Sequence, residues 1–94
     1  MSSNNPTGNN KSATHVLVVM DGATEERVAT IEIPRFDLRS FCIQFDVPVQ
    51  YDPEMLEEYV VGPDDAKFLE QHLDTPVDFD FSRYGYWIEA VEND

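Results

Sequence analysis

Residues 15–20, His15-Val16-Leu17-Val18-Val19-Met20, form a nearly unbroken apolar run rich in β-branched side chains. Such side chains lose rotamer freedom in a helix and pack well on a pleated surface. A run that offers no polar side to water predicts a strand with both faces largely buried. The chain has 94 residues, the size of one domain. A domain this small buries only about 60–65% of its unfolded surface, so its stability is expected to be modest.

The residues after this run set its partners. Asp21-Gly22-Ala23-Thr24-Glu25-Glu26 supplies turn chemistry. Arg27 to Ile33 then alternates, with Ala29, Ile31 and Ile33 on one side and Val28, Thr30 and Glu32 on the other. This period of two predicts a second strand and a hairpin, ended by Pro34. Asp37 is placed to cap a helix, and Leu38, Phe41, Cys42 and Phe45 follow at i, i+3, i+4 and i+7. Pro48 requires that helix to stop before it.

Residues 49–61 support two readings. Asp52-Pro53-Glu54 has the form of an N-cap, a proline at the first helical position and a first-turn acid. Glu58-Tyr59-Val60-Val61 has the form of a strand cut off by Gly62-Pro63. The favoured reading is a turn or short helix passing into a strand at about 57–61; the alternative is one helix from 53 to 60. A second helix is predicted from Pro63, with Asp64 and Asp65 complementing its dipole and Ala66, Leu69 and Leu73 forming a buried stripe, up to Thr75-Pro76. Val77-Asp78-Phe79-Asp80-Phe81 alternates strictly and predicts a strand. Tyr84 to Val91 predicts another, with Gly85 at a bend. The expected fold is α+β: an antiparallel sheet of about four strands, made of an N-terminal hairpin and C-terminal strands, with two helices on one face.

Residues 1–13 are mostly Ser, Asn, Gly and Pro and are expected to form a flexible tail ahead of a single domain at 14–94. The N-terminal stretch has no apolar signal-peptide core, and no run approaches the roughly 20 apolar residues of a membrane span. Cys42 is the only cysteine, which excludes an intramolecular disulfide and suits a reducing compartment. Its apolar neighbours favour a small buried hydrophobe over a reactive thiol. A cytoplasmic location is expected.

Charge narrows the function. The chain carries 19 acidic against 6 basic residues, a formal net charge of −13. From Asp46 onward, fourteen acids against Lys67 and Arg83 leave −12, so the excess lies in one half. Such a field repels nucleic acid and anionic membranes and attracts cationic partners. The candidate partner-binding group is Asp78, Asp80, Tyr84, Tyr86, Trp87, Glu89 and Glu92, because Tyr and Trp anchor interfaces and carboxylates engage Arg or Lys. Strict alternation argues that Phe79 and Phe81 belong to the core, while Tyr84 and Trp87 fit core or interface equally well. Glu54, Glu57, Glu58, Asp64 and Asp65 could extend this surface or serve as solubilising charge.

Catalytic chemistry finds little support. His15 opens a strand and His72 ends a helix, contexts that favour structural roles, and no local Ser/His/Asp grouping occurs. The four glycines fall in the tail and at turns, so no phosphate loop is present. The EF-hand pattern is absent, and one cysteine with two separated histidines makes no zinc set. Paired carboxylates could hydrolyse glycosides, but so short a chain leaves little room for a substrate cleft. No catalytic residue, metal or cofactor is expected.

Small, acidic, single-domain proteins of this kind resemble the immunity proteins that bacteria make against their own secreted, bacteriocin-type or polymorphic toxins. The resemblance rests on size, charge, α+β pattern and the end Asp78-Phe79-Asp80-Phe81-Ser82-Arg83-Tyr84-Gly85-Tyr86-Trp87. It spans residues 14–94 and is one of class, so no binding residues are carried over from it. It implies an inhibitor of a cognate toxin, with a nuclease-type domain and its basic cleft as the fitting target. The alternative is a DNA mimic of anti-restriction or anti-CRISPR type, whose carboxylates would follow the charge spacing of duplex DNA. A housekeeping adaptor, or an acidic protein adapted to high salt, is a third reading; the near-neutral first half argues against the salt adaptation.

Overall fold

The computed structural model describes residues 13–93. The expected tail at 1–13 lies outside them, except for Ala13, which opens the first strand. Four antiparallel strands form one sheet: β1 (Ala13–Asp21), β2 (Arg27–Glu32), β3 (Tyr59–Val60) and β4 (Tyr84–Glu92), in the order β2-β1-β4-β3. The apolar run of β1 is therefore interior to the sheet, and residues 15–19 are all buried. The fold is α+β, and its two short helices, α1 (Leu38–Gln44) and α2 (Ala66–Glu70), pack on one face. There Phe41 and Leu69 meet Leu17, Val19, Tyr86 and Ile88 from the sheet.

The hairpin forms where turn chemistry put it. The Asp21 carboxylate accepts from the Ala23 and Thr24 amides at 2.8 and 3.1 Å, which bends the chain. The Thr24 and Ala23 amides hold that carboxyl below its ordinary value. Gly22 lies so close to the neighbouring turn that a Cβ there would sit 2.9 Å from the Arg83 carbonyl oxygen. Its amide instead donates to that oxygen at 2.9 Å.

Helix α1 begins as expected. The Asp37 carboxylate accepts from the Ser40 amide at 3.1 Å and from the Ser40 hydroxyl. It ends through paired bonds from the Asp46 amide to the Ile43 carbonyl and from the Val47 amide to the Cys42 carbonyl, with Asp46 left-handed at φ 53°. The second helical region opens as a 3-10 turn at Pro63–Asp65 and continues as α2. Arg35 closes its far end, donating to the carbonyls of Gln71 and Leu73 and pairing with Asp74.

Of the two readings of residues 49–61 the favoured one holds: residues 53–60 are not a helix, and turns lead to β3, which at Tyr59–Val60 is shorter than the expected 57–61. Asp52 is buried in that loop, and Asp52-Pro53-Glu54 starts no helix. One expectation is corrected: residues 77–81 are not a strand. Val77, Phe79 and Phe81 do turn inward, but by packing alone. Both flanks of β4 at Tyr86–Ile88 are taken, by β1 on one side and β3 on the other. Residues 77–81 thus find no ladder there, and the chain instead folds back through bonds from the Arg83 and Tyr84 amides to the Asp80 carbonyl.

Candidate functional site

The C-terminal acids and aromatics do not form one surface. Successive strand residues point to opposite faces. Tyr86 lies in register with Val19 on the helix-covered face, where it is buried between Phe79 and Phe81 at centroid distances of 4.9 and 5.0 Å. Its hydroxyl accepts from the Asp80 amide at 2.9 Å. Tyr84 stands half-buried on the same face beside Tyr86, with the Arg83 guanidinium 5.3 Å from its ring centre. The Asp80 carboxylate is occupied locally: the Ser82 hydroxyl and amide bond it at 2.6 and 3.1 Å and hold its carboxyl below the usual value. Asp78 remains exposed.

Trp87 and Glu89 point to the other face. Glu89 Oε1 receives the Arg27 guanidinium at 3.1 Å and a long hydrogen bond from Trp87 Nε1 at 3.4 Å. Trp87 lies opposite Val60 of β3, and Val60 is 81% exposed. Directly opposed side chains of an antiparallel pair stand about 4.5–5.5 Å apart at Cβ, so these two share one patch.

The second acidic group flanks β3 along the chain. Glu54, Glu57, Glu58 and Asp64 are all exposed, in the loops that enter and leave β3. Asp65 is consumed internally, accepting from Gln44 Nε2 at 2.7 Å and from the Gly62 amide at 2.9 Å. Among the described residues the ion pairs are Arg27–Glu89 and Arg35–Asp74, so none of these four acids has a cationic partner there. Tyr51 and Leu56, which the sequence reading passed over as site residues, are 87% and 51% exposed in the same loop.

The loop is held by a buried carboxylate that was also missed as a hub. Asp52 accepts from the Leu56 amide (2.7 Å), the Glu57 amide (3.0 Å) and the Tyr59 hydroxyl (2.6 Å). Burial pushes its carboxyl up, but the Tyr59 hydroxyl, the two amides and nearby His15 together hold it below the ordinary value. Burial and then the Asp52 bond push the Tyr59 phenol up to about 12. His15 braces the same loop: its Nε2 donates to the Met55 carbonyl at 2.8 Å, and its ring stacks on Phe36 at 3.9 Å. Met55 is fully buried at φ 56°. Burial, with the Asp52 charge behind it, pushes the Cys42 thiol up, which disfavours the nucleophilic thiolate. His72 is likewise committed, its Nδ1 donating to the Phe68 carbonyl at 2.8 Å.

Among the described residues no group of three or more His, Cys, Asp or Glu side chains is placed to hold a metal ion, and no helix is long and apolar enough to cross a membrane. The fold defines a small α+β domain whose helices cover one face of a four-stranded antiparallel sheet. The chain belongs to the family described as "Domain of unknown function (DUF7683)", whose model matches residues 14–89, from β1 into β4. No curated protein and no solved structure matches it.

Proposed function

We propose that this is a non-enzymatic binding protein that docks on a basic protein partner, in the manner of an immunity protein neutralising a cognate bacterial toxin. One observation carries the reading. The acids flanking β3 in the chain, Glu54, Glu57, Glu58 and Asp64, are exposed with no cationic partner among the described residues, in the same stretch that exposes Tyr51, Leu56 and Val60. Unscreened carboxylates speed encounter with a positive surface, and apolar anchors add affinity once water is excluded. A nuclease-type toxin domain has the basic cleft such a surface fits. The bonds that tie His15 Nε2 and His72 Nδ1 to backbone carbonyls, and the raised Cys42 thiol, favour binding over catalysis.

The test is capture of the partner from the native host by the full chain, identification by mass spectrometry, and titration of the complex. A basic toxin domain is expected, released by high salt and weakened by Glu57→Lys/Glu58→Lys and by Trp87→Ala. Binding that is indifferent to salt and to these substitutions would sink the reading. Capture of a restriction or CRISPR effector, with DNA displaced from it, would replace it with DNA mimicry.

A further inference from the structure

A shallow concavity beside the β3 loop is lined by Ala13, Glu54, Leu56, Ala90 and Glu92. Three elements build it: the start of β1, the end of β4 and the loop that Asp52 and His15 hold in place. Ala13 pairs with Glu92 across β1 and β4, so floor and rim belong to one ladder. The lining is two alanines and a leucine, with one carboxylate from the loop and one from the strand. Its volume of about 290 Å³ lies just under the roughly 300–1,000 Å³ of small-molecule pockets. That is room for one long side chain rather than a drug-sized ligand.

Resting on the basic-partner reading, we infer that this concavity is the socket for one arginine side chain of the partner protein. The apolar stem of arginine lies along Leu56, Ala13 and Ala90, as long cationic side chains do on apolar surface. The guanidinium fork presents several N–H donors in a plane, which suits carboxylates arriving from two elements. Lysine, a single point charge, matches such a rim less well. Neither Glu54 nor Glu92 is spent on an ion pair among the described residues, and Leu56 is half exposed.

The experiment uses the full chain, isotopically labelled, titrated with N-acetyl-arginine methylamide and followed by amide chemical shifts. Saturable shifts are expected at Glu54, Leu56, Ala90 and Glu92. The citrulline analogue, equal in shape but uncharged, should leave them unmoved. Glu54→Gln/Glu92→Gln should weaken the arginine probe roughly tenfold while the native spectrum elsewhere is preserved, because a neutral amide forfeits the charge-assisted bonds. Non-saturating shifts spread over Glu57, Glu58, Asp64 and Asp78, or shifts indifferent to the two substitutions, would overturn the socket. If Glu57→Lys/Glu58→Lys weakens the captured complex and Glu54→Gln/Glu92→Gln does not, the socket fails and the basic-partner reading survives. If the probe binds here but the captured partner is acidic, that reading fails and the socket stands as a cation site.

Discussion

Replacing Asp52 with alanine should cost the domain a large part of its stability. The carboxylate accepts three hydrogen bonds, two from backbone amides and one from the Tyr59 hydroxyl. A hydrogen bond to a charged group contributes about 1.5–3 kcal/mol. Both amide bonds are part-buried, so water replaces the lost acceptor in part, and about 1 kcal/mol per bond is the fairer value. The expected loss is about 3 kcal/mol, against a total of roughly 4–12 kcal/mol for a domain of this size. The midpoint of thermal unfolding should fall by roughly 12–24 °C. Urea and thermal unfolding followed by circular dichroism measure both. The folded carboxyl titrates below its ordinary value of 3.8, so the unfolded chain binds its proton first as pH falls. Its contribution is complete above the unfolded value and drains away below it, as pH drops through the folded one. Asp52→Ala should lack this component of acid unfolding. An alanine variant within about 0.5 kcal/mol of the parent, with an unchanged acid limb, would refute the hub argument.

Other outcomes follow from the same geometry. Tyr59→Phe should remove a phenol that titrates near pH 12 from an alkaline absorbance titration; the raised phenol makes its contribution complete below its ordinary value of 10.0 and lost as pH climbs through about 12. Phe41→Ala should cost about 3–5 kcal/mol in urea unfolding, since that ring is fully buried against Phe36, Phe45 and Phe68. Asp46→Gly should instead stabilise by about 0.5–1 kcal/mol, because a glycine adopts the left-handed conformation after α1 without a Cβ penalty. Gly22→Ala should lower the thermal midpoint, because its Cβ would meet the Arg83 carbonyl oxygen; an unchanged midpoint would mean the two turns separate freely.

The elements legible in the sequence are those whose signal is local. The β1–β2 hairpin follows from an apolar run, an Asp-Gly turn and a period of two, and Ala29, Ile31 and Ile33 do face the core. The cap of α1 follows from Asp37 and Ser40, three residues apart. The strand at 77–81 was misread because alternation reports which side chains turn inward and says nothing about whether a ladder edge is free. Asp52 was misread for a related reason. A short carboxylate ahead of free amides signals a cap, and here it does bind amides, but four and five residues on and in a loop tied to β3 through Tyr59.

The candidate surface divides the same way. From composition and periodicity alone, the excess of carboxylates in the second half, the α+β class and most of the inward set of the regular elements could be derived, because charge and side-chain period are properties of neighbouring residues; Leu38, placed by its spacing on the apolar stripe of α1, is exposed. Which acids stay available was settled by tertiary structure. Asp65 goes to Gln44 and Gly62, Glu89 to Arg27 and Trp87, and Tyr86 to the core, while Glu54, Glu57, Glu58 and Asp64 are left facing solvent in the loops on either side of β3. The reason is physical: several of those partners are distant in sequence, and a carboxylate is spent or free according to the donors the fold brings within hydrogen-bonding reach.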